Sequence, residues 1–212
     1  MSKVFIETHS NIPCVVDVET TGLDCQLDNL IQVCVLPLDN ALIPREDIDP
    51  FYVFIKPIKT IRNKSKAQSV HGITIEELET RGMDPWDAAE RFDEWCHRLG
   101  LDGYRKIAPI AQNYTFDKGF LEEWLSKEVY NHRFHYHYRD TMNVAMFIND
   151  INVVHHGQTL YPRVSLGTLA NHYSIENEKA HDALSDCLTE AALYRHLLQD
   201  VLPREIPEKT LE

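Results

Sequence analysis

Apolar residues in this chain come in two rhythms, short unbroken runs and helical repeats, and the two alternate along its length. Residues 14–20, Cys-Val-Val-Asp-Val-Glu-Thr, are a valine-rich run ending in carboxylates. That pattern predicts a buried strand whose C-terminal end reaches a site. Residues 30–38 and 51–57 are further strand candidates, with Pro44-Arg45-Glu46-Asp47 as the turn region between them. Residues 74–79 predict a short helix capped by Thr74, with Glu77 three positions on. From Pro85, Ala89, Phe92, Cys96 and Leu99 recur at helical spacing, and Gly100 supplies the stop. Residues 107–111 form another buried strand, and Phe116, Phe120, Leu121 and Trp124 mark the apolar face of the next helix.

Residues 134–138 alternate aromatic rings and histidines, which predicts a strand. Residues 140–148 read as a helix capped by Asp140 or Thr141. Residues 150–163 are polar, contain Gly157 and Pro162, and read as a loop or insertion. A short helix over 165–173 and a long one over 182–199 complete the pattern, the latter with Cys187, Ala191, Tyr194 and Leu198 on one face. Strands first, then alternating helix and strand, imply an α/β fold with a mixed sheet and helices on both faces. At 212 residues, one domain over 1–203 with a loose tail over 204–212 is expected. The final Leu-Glu reads as a cloning remnant.

Three short segments carry the candidate chemistry. Asp17 and Glu19 are two apart in a strand and so share a side. Asp117 follows the strand 107–111 near the start of a helix, with Asn113 four residues earlier. His181 and Asp186 would diverge by roughly 140° in a continuous helix. They converge if His181 precedes the helix and Asp182 caps it. Carboxylates gathered from distant segments repel one another and resist dehydration, and divalent cations relieve both. Such a site with a nearby histidine suits attack of water on a phosphodiester.

Charge and cysteine content adjust this picture. The net charge of −12 runs against the basic footprint of nucleic-acid binding. Cations at the carboxylates invert the local sign, and a grip on a few terminal nucleotides needs little more. The five cysteines, Cys14, Cys25, Cys34, Cys96 and Cys187, are scattered and odd in number, which argues for a reducing, cytoplasmic setting. Residues 1–11 have no basic segment leading into an apolar core, so no signal peptide is expected. No apolar run approaches a membrane span. His132, His135, His137, His155 and His156 fit an alternating strand and a loop better than a zinc site.

Asp17-Val18-Glu19-Thr20-Thr21-Gly22, Asn113-Tyr114-Thr115-Phe116-Asp117 and His181-Asp182-Ala183-Leu184-Ser185-Asp186 resemble, in order, spacing and flanks, the DEDD exonuclease superfamily. The histidine of the third segment points to its histidine-containing branch, and the resemblance covers residues 15–198. Two departures are Gln112, where the family often has histidine, and Tyr114, where a small residue is usual. Tyr114 is expected to crowd or stack on the terminal base.

The resemblance implies a ribonuclease H-like fold with a five-stranded sheet. It implies a 3′→5′ exonuclease that releases nucleoside 5′-monophosphates, here from single-stranded or frayed DNA ends. Trimming of RNA 3′ ends and a non-enzymatic binding or scaffold module are the rivals. It implies two Mg²⁺ ions per site, with Mn²⁺ able to substitute. Asp17, Glu19 and Asp186 would hold one ion, and Asp17 would bridge to a second near Asp117. His181, with an unperturbed pKa near ~6.5, would take the proton of the attacking water. Thr20, Thr21, Gly22, Asn113, Tyr114 and Phe116 would contact substrate. Val70-His71-Gly72-Ile73-Thr74 resembles the segment lining the 3′-nucleotide pocket. Just upstream, Lys56, Lys59, Arg62, Lys64 and Lys66 form the dense basic run and the best candidate for a strand-backbone track. Proofreading would call for a polymerase partner, a stand-alone enzyme is expected at least as much, and a homodimer is a further candidate assembly.

Overall fold

A computed structural model of the protein describes residues 6, 8–62, 71–177 and 179–201. Five strands form one mixed sheet: β1 (Ile12–Thr20), β2 (Leu30–Pro37), β3 (Phe51–Phe54), β4 (Ile107–Ala111) and β5 (Arg139–Asp140). Their order is β3-β2-β1-β4-β5, so β1 is central. β1 runs antiparallel to β2, with Val18 opposite Val33, and parallel to β4, with Ile12 opposite Ile107. The β1–β2 register slips between Glu19 and Thr20, an irregularity of the kind that re-aims a strand end.

Seven helices occur among the described residues. They are α1 (Ile75–Arg81), α2 (Pro85–Leu99), α3 (Tyr114–Leu125), α4 (Lys127–Arg133), α5 (Thr141–His156), α6 (Leu166–His172) and α7 (Ala183–Val201). Val16 and Val18 of β1 pack with Phe92 and Trp95 of α2 and Phe120 and Leu121 of α3 on one face. Val15 packs with Ala183, Cys187 and Ala191 of α7 on the other. Both faces are sealed, which is why β1 reads as an unbroken apolar run. Because alternate residues share a face, Asp17 and Glu19 lie on the α7 side with Val15. The fold is the expected α/β, ribonuclease H-like mixed five-stranded sheet with helices on both faces.

Caps set several boundaries. Thr74 Oγ1 accepts from Glu77 N at 3.0 Å, Asp84 caps α2 ahead of Pro85, and Gly100 closes it in the left-handed region. Asp140 caps α5 by accepting from Met142 N at 3.0 Å. Two expectations are corrected. Residues 134–138 are not a strand: Phe134 ends α4, stacks on Tyr130 at 4.7 Å and makes a single bridge to Ile107. Residues 150–156 are not loop: α5 runs on to His156, its outer face carrying exposed Ile151 and Val154. Apolar residues on a solvent face blurred the helical rhythm there. The tail 204–212 lies outside the described residues. Among the described residues, no helix is long and apolar enough to cross a membrane.

The loop leaving β1 is tied down tightly. Thr21 N donates to Asn29 O at 2.9 Å, and Asn29 N donates to Thr21 Oγ1 at 2.9 Å. Asp28 lies beneath it, 3% exposed, and Arg62 meets both its carboxylate oxygens, at 3.2 and 2.7 Å. A Cβ on Gly22 would land on that carboxylate, inside van der Waals contact. The expected effect of Gly22→Ala is a loss of about 1–3 kcal/mol, the usual range for overpacking. Urea unfolding measures it. An unchanged midpoint and slope would mean that Asp28 does not seal this loop.

Candidate active site

Three chain segments deliver carboxylates to one place. β1 brings Asp17 and Glu19. α3 begins directly after β4, through Asn113 in the left-handed region (φ 59°, ψ 49°), and carries Asp117 in its first turn. Asp117 is 4% exposed, and its Oδ1 accepts a hydrogen bond from Val18 N at 3.1 Å, fastening α3 to β1. α7 brings Asp186 in its first turn.

The approach to α7 has the predicted geometry. His181 precedes the helix with φ 67°, and its N–H donates to Asp186 Oδ2 at 3.0 Å. Asp182 Oδ1 accepts from Ser185 N at 3.2 Å, as a cap does. Asp182 Oδ2 accepts from Tyr52 OH at 2.6 Å, and Gln32 Oε1 accepts from Ala183 N at 2.8 Å. Asn177 Nδ2 donates to Asp186 Oδ1 at 2.6 Å, and Ser185 Oγ holds Asn177 in turn at 2.8 Å.

Glu19, His181 and Asp186 each offer a ligand atom, all within 4.8 Å of one another. Asp17 lies beside this trio, with Asp117, Glu19 and Asp186 as its charged neighbours. Its foremost charged neighbour is Asp117, and its Oδ2 is buried with no hydrogen-bond partner. An orphaned buried carboxylate oxygen beside three other carboxylates is where a cation belongs. The donors are oxygens plus one imidazole, and they fit a divalent ion.

Electrostatics describe the same strain. Burial, then the Asp117 charge, pushes the Asp17 carboxyl well above its ordinary range. Burial also raises Asp117, against the lowering effect of its own and Val18's backbone N–H groups. Glu19 is pushed up to about 8 by burial and then by Asp186. Asp186 is raised by burial, with Asn177 and the His181 N–H pulling the other way.

The other expected site residues divide. Thr20 Oγ1 donates to Gly22 O at 2.6 Å and Thr21 is buried, so both shape the loop. Asn113 is exposed, and Phe116 packs against Phe120 with ring centroids 5.1 Å apart. His71 is half-buried. Its Nδ1 accepts from Ile73 N at 3.0 Å, and its buried Nε2 has no partner. Burial, then the His181 charge, lowers its pKa.

Tyr114 is a correction. It is fully buried, its hydroxyl 2.7 Å from that of Tyr130, so it cannot stack on a base. The left-handed turn at Asn113 points it into the core. The basic run is also corrected. Lys59 Nζ donates to Cys25 O at 2.8 Å and Asp28 O at 3.2 Å, and Arg62 pairs with Asp28. Both hold the β1 loop in place. Lys56 is exposed, while Lys64 and Lys66 lie outside the described residues.

Sequence reasoning missed Gln32, Tyr52, Asn177 and Glu190, and read Asp140 only as a helix cap. Glu190 alone left a signal, standing one helical turn beyond Asp186 on the same face. Asp140 accepts from Asn113 N and Tyr114 N, both at 3.1 Å, and so fixes the start of α3 as well as capping α5. An apolar cavity of about 590 Å³ opens between α2 and α3, walled by Phe92, Trp124 and Ile58 and reaching Asn29 of the β1 loop.

Residues 14–194 match the model of the RNase_T family, described as exonuclease. The PolC-type DNA polymerase III of Listeria monocytogenes is 30% identical over 191 residues, 88% of this chain and 11% of the polymerase. The chain thus spans about a tenth of the polymerases it matches. The 3′-5′ DNA exonuclease Cap18 of Escherichia coli is 25% identical over 90% of this chain and 93% of its own. Ribonuclease T of Histophilus somni is 25% identical over 88% and 83%. Among solved structures, E. coli Exonuclease I in complex with a dT13 oligonucleotide superposes with a TM-score of 0.69. It is 19% identical and is covered over 41% of its length by 88% of this chain.

The raised carboxylates fix the sign of a pH effect. Each binds its proton more tightly folded than unfolded, so its stabilisation is complete below the unfolded pKa of about 4. It is lost as pH rises through the folded value, about 8 for Glu19. Melting of chelated protein should therefore fall between pH 5 and pH 9, and Mg²⁺ should flatten the slope by neutralising the ionised groups. Differential scanning calorimetry with and without Mg²⁺ checks it. A melting point that holds or rises across this window without metal contradicts the assigned shifts.

Proposed function

The chain belongs to the RNase_T exonuclease family, within the DEDD exonuclease superfamily, and from that premise we propose that it removes nucleoside 5′-monophosphates from the 3′ ends of single-stranded or frayed DNA. It is a hydrolytic nuclease. The observation that carries the finer reading is the convergence of Glu19, His181 and Asp186 within 4.8 Å, beside the orphaned Asp17 Oδ2 and buried Asp117.

Two Mg²⁺ ions, with Mn²⁺ as substitute, would supply the positive charge that acidifies the attacking water and steadies the leaving 3′ oxygen. Asp17, Glu19, Asp117 and Asp186 are assigned to hold them. His181 takes the proton of the attacking water. Its backbone is anchored through Asp186 while its ring is exposed, so the ring can meet solvent and substrate together. The β1 loop, with exposed Leu23, and His71, Asn113 and Phe116 are assigned to contact the terminal nucleotide. Of the basic run, exposed Lys56 is assigned to the strand backbone.

DNA as substrate is supported by the likeness to PolC-type polymerases and to Cap18. The likeness to ribonuclease T over most of its length supports RNA trimming as the second reading. A polymerase partner is supported by the PolC-type relatives alone. The net charge of −12 favours a short grip on the strand end over a long track.

Matched end-labelled DNA and RNA oligonucleotides, with Mg²⁺, Mn²⁺ or chelator, test the substrate. Stepwise shortening of DNA from a free 3′ end, to 5′-monophosphates and only with metal, is the expected result. Cutting of a circular single strand would make the enzyme an endonuclease. Faster shortening of RNA would favour the second reading.

His181→Ala is expected to cut turnover by about 10²–10⁴-fold, the range for loss of a general base. Metal affinity should stay near wild type, and the acid limb of the pH–rate profile should flatten. Calorimetric metal titration separates the alternatives. A large loss of affinity would make His181 a ligand, in line with its place in the close trio.

A further inference from the structure

Among the described residues, Glu190 is the most deeply buried carboxylate around the site. It stands one turn beyond Asp186 on α7 and is 2% exposed. Its Oε1 accepts from Thr141 Oγ1 at 2.5 Å. The same hydroxyl lies 2.7 Å from Gln112 Oε1, and Gln112 Nε2 donates to Val164 O at 2.5 Å. Its Oε2 is buried and has no partner. The charged groups acting on Glu190 are Asp140 and Asp186, and Glu190 is in turn the foremost charged neighbour of Asp117.

This placement is costly in either protonation state. Ionised, Glu190 adds a buried negative charge to a cluster already in mutual repulsion. Neutral, it presents a buried polar atom that lacks a hydrogen-bond partner. A divalent cation between the carboxylates removes both penalties, by charge and by the strong donors of its hydration shell. Asp17 Oδ2, the other orphaned carboxylate oxygen of the site, has the same need.

We propose that Glu190 is a fifth carboxylate of the cation site, with Thr141 holding Oε1 and the buried, unpartnered Oε2 left to serve the cation. This rests on the reading of the site as a metal centre. Glu190 acts through the cation and its bound ligands, and so is a positioning residue. It also links the end of β4 and the start of α5 to the proposed site, since Gln112 follows β4 directly and Thr141 opens α5.

Direct titration of chelated protein with Mn²⁺ alone, read by calorimetry and by electron paramagnetic resonance, tests the proposal without any turnover. Glu190→Gln keeps the shape and an oxygen for Thr141 but removes the charge. It is expected to weaken Mn²⁺ binding by about 10–100-fold, the range for loss of a supporting group at a metal site. It should raise the melting temperature of the metal-free protein, because repulsion is relieved. Thr141→Val removes the buttress and keeps the charge, so it should weaken Mn²⁺ binding less. Wild-type affinity in Glu190→Gln would overturn the proposal and leave the metal centre standing. An equal loss in both variants would also overturn it, since packing rather than charge would then be responsible. If wild-type protein binds no Mn²⁺, the metal-centre reading itself fails.

Discussion

Negative charge held out of water has to be matched by something, and the described part of this molecule is arranged around that requirement. Asp117, Asp186, Glu19 and Glu190 are each less than a tenth exposed and lie on three segments that meet at the end of the central strand. The protein supplies part of the match with backbone N–H groups. Val18 N serves Asp117, and His181 N serves Asp186. Both aspartates also sit in the first turns of helices, where the helix dipole favours an anion. These partial charges hold the carboxyl groups in position without neutralising them. The match is incomplete at Asp17 Oδ2 and Glu190 Oε2, which are buried without a partner and are where the proposed cations would act.

The scaffold's other features follow from keeping those three segments in register. The Asp117–Val18 hydrogen bond spans 99 residues of sequence. Gln32 and Tyr52, from β2 and beside it β3, reach across the sheet to grip the start of α7. Asp140 closes the corner between β4 and α3 while capping α5. None of these groups needs to touch a substrate, and together they hold the segments that carry the acidic residues. The sealed apolar layers on both faces make the central strand stiff enough to serve as the reference for all of them.

How much of this was readable from the chain depends on the range of the interaction. Residues 107–111 and 85–99 were readable because their punctuation is local: a proline opens α2 and a glycine closes it. The three acidic segments were readable because each motif is contiguous. Tyr114 was misread because its direction depends on a left-handed backbone at Asn113, one residue earlier, and a bulky residue beside a motif looks like a pocket wall. Lys59 and Arg62 were read as a strand-backbone track because their ion-pair partners, Glu123 and Asp28, lie far away in sequence. Charge balance between distant loops leaves no periodic trace. Residues 134–138 alternated like a strand, but alternation over so short a span cannot be told from a helix end folded onto an edge.

The third acidic segment has a property that the first two lack. Asp186 accepts from the backbone of His181 with one oxygen and from Asn177 with the other, and Asn177 is locked by Ser185 of the same helix turn. The ligand and the histidine are therefore parts of one small rigid body. His181 occupies a left-handed conformation that a β-carbon disfavours, and the hydrogen bond to Asp186 is what offsets that cost. A cation held by Asp186 would therefore be held by the same group that anchors the backbone of His181. Under the proposed function, that one hydrogen bond would position both the metal ligand and the base.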